Sequence, residues 1–175
     1  MKNKKNNLRI TLTAAALVGA ALFASSTQST IPARMLFPLY IAPGTNGNNW
    51  NAVISANTYG NIDVILNPSN GPGSAKQTNY VNGIARLKAA NVGIYGYVHS
   101  TYGDRSIADV KADVDKWVSW YGPLTGIFID EAEYRAGQGD EGYYAELYAY
   151  IKERGMLAIN NPGTGTNETY LNLAD

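Results

Sequence analysis

Five short apolar segments recur along this chain, and their spacing constrains the fold more than any other feature. They begin near residues 35, 62, 92, 126 and 156. The spacing of about 30 residues is the length of a βα unit, one strand followed by one helix and the return connection. Short apolar strands that alternate with helices are typical of parallel sheets buried on both faces. The sequence therefore predicts an α/β protein.

The strands and helices are predicted from apolar runs and helical periodicity. Residues 106–121 have the clearest helical pattern, and Ser106 with Asp109 resembles a capping box at its start. Two folds fit this order: a (β/α)8 TIM-type barrel, of which the chain supplies about five of eight units, and an open, doubly wound parallel sheet. The predicted strands cover 35–41, 62–66, 92–98, 126–130 and 156–160, and the helices 50–57, 79–91, 106–121, 142–154 and 168–173.

Residues 1–29 have the pattern of a secretory signal peptide. A basic start precedes an apolar run at 10–24 and a polar stretch at 25–30. The run is shorter than the ~20 residues that span a bilayer, so we expect no stable membrane insertion after cleavage. Cleavage removes four basic residues and no acidic one, which changes the net charge from zero to −4. We expect a secreted or cell-surface protein in which residues 30–175 fold after export.

The composition excludes several classes of function. The chain has no cysteine and a single histidine, which excludes disulfides, thiolate zinc sites and a cluster of histidine ligands. Only 16% of the residues are charged, so a nucleic-acid partner is not expected. Thirteen tyrosines stand against three tryptophans and three phenylalanines. A phenol offers both a flat apolar face and a hydroxyl, which suits the binding of sugars.

Each predicted strand ends in a polar side chain. In both candidate folds, ligands bind at the carboxyl ends of the parallel strands. One polar residue after a strand signifies little, but five in succession favour a polar binding site. The predicted substrate-binding residues are Tyr40, Asn67, Tyr97, His99, Tyr102, Arg105, Asn160 and Asn161.

Asp130 and Glu131 follow the fourth strand directly and are the sharpest feature of this edge. Burial of an unpaired carboxylate is costly, so this position favours a functional role. Neighbouring carboxyls push their pKa values apart, which lets one act as an acid while the other stays ionised, as glycoside cleavage requires. The structural alternative is that a carboxylate caps the next loop or pairs with Arg105 or Arg135. For Glu133, that alternative is favoured.

Several segments together resemble the spherulin-4 family of cell-surface proteins, of the glycoside hydrolase family 135 type. Each segment alone is a weak signal, but they occur in the family's order from residue 35 onward. The segments are FPLY (37–40), LNP (66–68) with NGPG (70–73), GYV (96–98), YG (102–103) with RS (105–106), WY (120–121), GIFIDE (126–131), and NPGT (161–164) leading to AD (174–175).

The resemblance implies a (β/α)8 barrel and endo-acting hydrolysis, of the α-N-acetylgalactosaminidase kind, without a cofactor. The substrate it implies is an exopolysaccharide rich in galactosamine and N-acetylgalactosamine, such as galactosaminogalactan or the Pel biofilm polymer. The family's Asp-Glu pair falls on Asp130 and Glu131. Of this pair, we expect Glu131 to be the general acid, and Asp130 to stabilise the transition state or orient the N-acetyl group of the substrate.

The same resemblance implies a further catalytic glutamate on a later strand, beyond the Ala174-Asp175 segment. We therefore expect the chain to be truncated at its carboxyl end relative to the family, with residues 30–175 forming the N-terminal part of the barrel hydrolase domain. Two alternatives to the enzyme remain open. One is a non-catalytic carbohydrate-binding cell-surface protein, and the other is an inactive remnant.

Overall fold

Strands and α-helices alternate in a computed structural model that describes residues 33–44 and 48–175, and a short 3₁₀ helix at Thr101–Gly103 follows the third strand. The boundaries of the strands and α-helices lie within two residues of the sequence prediction. The predicted signal peptide lies outside the described residues. Among the described residues, no helix is long and apolar enough to cross a membrane. The strands are β1 (Arg34–Leu39), β2 (Asn61–Leu66), β3 (Gly93–His99), β4 (Gly126–Asp130) and β5 (Leu157–Asn161), and the helices are α1 (Asn48–Ala56), α2 (Thr78–Ala89), α3 (Ile107–Tyr121), α4 (Glu141–Lys152) and α5 (Glu168–Leu171).

Helix α3 begins where the sequence predicts, but the capping box predicted for Ser106 and Asp109 does not form. Ser106 occupies the N-cap, yet its side chain makes no capping hydrogen bond. Its carbonyl oxygen accepts from the backbone N–H groups of Asp109 and Val110 instead. The backbone turn alone therefore begins this helix.

The five strands form one sheet in the order β1-β2-β3-β4-β5, and every neighbouring pair is parallel. Strands that follow one another in sequence are thus neighbours in space, as in a (β/α) barrel. Within the described chain, β1 and β5 are the two edges of the sheet, so the strands also fit the description of an open parallel sheet. Because all five strands run in the same direction, their carboxyl ends lie along one side of the sheet, perpendicular to the edge strands; this side is the edge at which the polar residues are predicted.

Side chains alternate between the two faces of each strand, and the two faces differ in what covers them. One face packs against residues from all five helices, among them Trp50, Ile84, Trp117, Leu147 and Tyr170. The opposite face, hereafter the inner face, has a smaller cluster built from strand residues alone. Its members are Ile65, Tyr95, Tyr97, Phe128 and Ile159.

Close packing of α3 against β3 depends on Gly96. The fully buried Trp117 ring lies over this glycine, and a Cβ built at Gly96 would stand 2.7 Å from a ring carbon. The indole N–H of Trp117 donates to the carbonyl oxygen of Tyr97 at 2.9 Å. The contact fixes both the depth and the register of α3 on the sheet.

The outer edge of the sheet at β1 is apolar and open. Met35, Phe37 and Ile41 are exposed. Together with α1 they line an apolar groove of about 450 Å³. Met35 and Phe37 are 64% and 46% exposed, whereas Leu39 at the carboxyl end of the same strand is buried.

We expect the Gly96→Ala variant to lose about 1–3 kcal/mol of unfolding free energy, because the added methyl group overpacks a filled core. Urea unfolding followed by circular dichroism measures the change. Gly142→Ala is the matched control, since a Cβ at that position in α4 meets open space. Equal stability of the two variants would show that the Trp117 contact does not set the helix distance.

Candidate active site at the carboxyl ends of the strands

The register of three neighbouring strands brings three polar side chains together. His99 is paired with Asp130 across β3 and β4, and Asp130 is paired with Asn161 across β4 and β5. By alternation, all three follow inner-face residues such as Tyr97 and Phe128. They therefore lie side by side at the carboxyl ends of their strands.

Both carboxylate oxygens of Asp130 accept a hydrogen bond. The Tyr97 hydroxyl donates to Oδ2 at 2.8 Å, and the Asn161 side-chain amide donates to Oδ1 at 2.8 Å. Burial, and then this bond to Asp130, raise the pKa of the Tyr97 phenol above its ordinary value. The phenol is thus protonated at neutral pH, and the two donors fix the orientation of the Asp130 carboxylate.

Tyr40 stands next to this pair at the end of β1. Its ring meets Tyr97 edge-to-face, with 6.0 Å between centroids and 87° between planes. Partial burial, and then the negative charge of Asp130, raise the pKa of its phenol. The residue remains 47% exposed, so it presents an aromatic surface beside the carboxylate.

Glu131 turns out of the strand through a left-handed backbone conformation, with φ at 51°. Its side chain is 44% exposed, and its Oε2 lies 3.8 Å from Nδ1 of His99. Two residues of the neighbouring loop after β3, Thr101 and Tyr102, also have positive φ angles. Such conformations are costly for residues other than glycine, and they cluster at functional sites.

Glu133 has the structural role that the sequence favours for it. Its buried carboxylate pairs with the Arg135 guanidinium and accepts the backbone N–H groups of Tyr134 and Arg135. The hydrogen bond from Arg135, partly opposed by burial, lowers the pKa of Glu133 to about 2. This carboxylate shapes the loop after β4.

The structure does not bring Asn160 and Arg105 to the inner face with Asp130. Asn160 alternates with its neighbours to the helix side, where its amide donates to the Leu173 carbonyl at 3.2 Å. Arg105 pairs with Asp113 of α3 at 2.6 Å and donates to the His99 carbonyl at 3.1 Å. Both side chains hold parts of the scaffold together.

Asn67 and Tyr102 remain at the edge, each with a local partner. The side-chain oxygen of half-buried Asn67 accepts the backbone N–H of Gly71 at 2.9 Å, which closes the loop after β2. Tyr102 is exposed, and its ring packs edge-on against Tyr134, 6.2 Å away.

Sequence reasoning missed two buried residues of this region, Ser100 and Tyr144. The Ser100 hydroxyl donates to the Glu131 carbonyl, and the Tyr144 hydroxyl accepts the backbone N–H of Glu133. Tyr144 has the spacing of an ordinary core position on α4, so its sequence pattern gives no sign of a contact with the site loop. The one available signal is the position of Ser100, directly after His99.

Comparison with known proteins gives the family. The family model of spherulation-specific family 4 matches residues 34–175. The chain belongs to this family. It is 38% identical over 153 residues to Spherulin-4 of Physarum polycephalum, an alignment that covers 85% of this chain and 45% of that protein. The resemblance that the sequence motifs indicate is thereby confirmed.

A solved structure gives the fold of this member of spherulation-specific family 4. The structure is the crystal structure of Aspergillus clavatus Sph3 in complex with GalNAc, at a TM-score of 0.73 and 28% identity. The match covers 82% of this chain and 63% of Sph3. The five parallel strands and their alternating helices form a curled half-barrel that matches the TIM-like fold of Sph3, which confirms the predicted barrel class.

The ion pair of Glu133 predicts a specific dependence of stability on pH. Since the folded-state pKa of about 2 is below the ordinary 4.5, the stabilisation is complete above pH 4.5 and is lost as the pH falls toward 2. We expect Glu133→Gln to lower the unfolding free energy at pH 7 by about 1–3 kcal/mol. The difference in unfolding free energy between this variant and the wild type becomes smaller as the pH falls from 4.5 to 2, because the wild-type carboxylate becomes protonated over this range.

Urea titrations at several pH values measure this difference. The exposed Glu153 provides the control variant, Glu153→Gln, which we expect to stay close to wild type at every pH. A difference for Glu133→Gln that does not change with pH would contradict the assignment.

Proposed function

We propose that this protein is a secreted glycoside hydrolase that cleaves an exopolysaccharide rich in galactosamine and N-acetylgalactosamine. One observation carries the proposal: Asp130, hydrogen-bonded at both oxygens, stands beside the half-exposed Glu131 at the carboxyl ends of parallel strands. Glycosidases commonly work with such a pair of carboxyl groups. The GalNAc bound to the related Sph3 supports the substrate class.

The two carboxyl groups have different surroundings, and we assign them different roles. Asp130 is held rigidly by Tyr97 and Asn161, so it suits the fixed electrostatic task of stabilising an oxocarbenium-like transition state or orienting the N-acetyl group. Glu131 is more exposed, with 44% of its side chain accessible to solvent. It suits proton donation to the leaving group. His99, 3.8 Å from Glu131, is positioned to bind a substrate hydroxyl.

Tyr40 and Tyr102 supply the sugar-contacting surface in this proposal. Each presents an exposed phenol ring at the edge that carries the two carboxyl groups. The faces of sugar rings pack against aromatic rings, and the hydroxyls add hydrogen bonds. A polymer laid along this edge is cut within its length, which corresponds to endo-acting hydrolysis.

Location and charge fit the same substrate. The signal peptide predicted at residues 1–29 directs export, and its removal leaves a net charge of −4. A partly deacetylated polymer carries ammonium groups, and a negatively charged protein attracts such a polymer at low ionic strength. The chain spans 45% of the length of Spherulin-4 and 63% of Sph3. We therefore propose hydrolysis for this chain separately from those longer proteins, and the experiments below use this chain.

We expect Glu131→Gln to lower the release of reducing ends from a galactosamine-rich polymer by about 10²–10⁴-fold, because an amide is not acidic enough to protonate the leaving group. The measurement is a reducing-sugar assay with purified polymer, together with a co-sedimentation assay of polymer binding. Glu153→Gln is the matched control, since Glu153 caps the carboxyl end of α4 and is exposed, and we expect it to retain wild-type activity.

Two results would count against this proposal in different ways. Unchanged release by Glu131→Gln would refute the general-acid role. Polymer binding by wild type without any new reducing ends would favour the second candidate, a non-catalytic carbohydrate-binding protein that uses the same edge.

Tyr40→Ala is expected to weaken the binding of N-acetylgalactosamine oligosaccharides by up to about tenfold, through loss of one stacking surface. Isothermal titration calorimetry measures the affinity. Tyr59→Ala serves as the control, since Tyr59 is 93% exposed and precedes β2 at the opposite end of the strands. Equal affinities of the two variants would remove Tyr40 from the binding surface.

A further inference from the structure

Two buried hydroxyl groups connect the loop that carries Glu131 to the scaffold. Ser100 follows β3 and is 0% exposed, and Tyr144 lies on α4 and is 1% exposed. Their oxygens are 2.8 Å apart. Buried polar groups are retained where they are hydrogen-bonded, so the question is which groups this pair satisfies.

The pair joins two peptide groups of the site loop. The backbone N–H of Glu133 donates to the Tyr144 oxygen at 2.8 Å, and the Ser100 hydroxyl donates to the Glu131 carbonyl at 2.9 Å. Since the Ser100 proton is committed to Glu131, the Tyr144 hydroxyl donates to Ser100. The hydrogen bonds thus run in one direction, from Glu133 through both hydroxyls to Glu131.

The same carbonyl of Glu131 has a second donor. The backbone N–H of Tyr102 lies 2.7 Å from it. Two donors on this carbonyl oxygen fix the orientation of the peptide group that follows Glu131. The backbone of Glu131 itself has a φ of 51°. The left-handed conformation is unfavourable for a residue with a Cβ, so surrounding contacts must hold it.

We propose that Ser100 and Tyr144 are positioning residues that hold Glu131 in its left-handed conformation and so keep its carboxylate beside His99. The inference rests on the proposed function for the role of Glu131. Without the two hydroxyls, the peptide group after Glu131 keeps its bonds to the Tyr102 N–H and the Asn161 carbonyl. Under this proposal, these bonds alone do not hold the strained conformation, so the Glu131 backbone relaxes toward an ordinary φ and the carboxylate moves away from Asp130.

Tyr144→Phe is the most specific test, because it removes the hydroxyl and keeps the ring. The centroid of the Tyr144 ring lies 5.0 Å from that of Tyr143 and 5.6 Å from that of Tyr170. A phenylalanine ring preserves both contacts. Tyr143→Phe is a matched control on the adjacent residue, since the buried Tyr143 hydroxyl has no hydrogen-bond partner among the described residues. Ser100→Ala breaks the same path from its other end and replaces Tyr144→Phe if that variant fails to fold.

The kinetic test uses the reducing-end assay with polymer at several concentrations. We expect Tyr144→Phe to lower kcat about ten- to a hundredfold with KM within twofold of wild type, because a misplaced acid impairs the chemical step more than binding. Tyr143→Phe retains the wild-type kcat. Equal kcat values for the two tyrosine variants, or a change confined to KM, would overturn the proposal.

Crystal structures of the wild type and of Tyr144→Phe test the positioning independently of activity. We expect Glu131 in the variant to leave the left-handed region, with its Oε2 farther from His99 than 3.8 Å. An unchanged φ and carboxylate position would overturn the positioning role even if Glu131 is the acid. If the wild type releases no reducing ends, the proposed function fails, and the crystal structures still decide whether the two hydroxyls hold this loop.

Discussion

The candidate site depends on the hydrogen-bond register among β3, β4 and β5. Side chains alternate between faces, so a shift of β4 by one residue would move Asp130 from the inner face to the helix face. Thr125 fixes this register at the start of β4. Its hydroxyl oxygen accepts the backbone N–H of Ile94, and its own backbone groups bond to Ile94 and Leu157 on the two neighbouring strands.

The two faces of the sheet have different roles, one in packing against the helices and the other in leading to the candidate site. The helix face holds the larger apolar cluster, in which Trp117 and its neighbours are fully buried. The inner face has a smaller cluster that continues upward into the polar edge through Tyr97. Packing on the helix face therefore fixes the strands, and the strands in turn fix the side chains that carry the proposed chemistry.

Much of this arrangement could be predicted from the sequence because it repeats. Apolar runs and helical periodicity locate each strand and helix to within two residues, and parallel strands place their carboxyl ends at one edge. Asp130 and Asn161 are the last residues of β4 and β5, so the same reasoning predicts that both lie at this edge. Asn160 precedes Asn161 by one residue, and alternation sends one of the two to the helix side.

Other features follow from contacts that no local pattern encodes. Arg105 has a basic side chain near the edge, and only the folded structure shows that Asp113 engages it. Ser100 and Tyr144 are 44 residues apart in sequence and meet through the packing of α4 against the end of β3. The backbone conformation of Glu131 is likewise set by its neighbours, since a glutamate has no intrinsic preference for positive φ.

The left-handed conformation of Glu131 has a cost for the molecule as a whole. Glycine adopts such a conformation without steric penalty, so glycine is the residue that this backbone position favours for stability. A carboxylate there requires other parts of the chain to hold a strained loop. Under the proposed function, the protein gives up stability in this loop to place one acidic group, a trade-off common at catalytic sites.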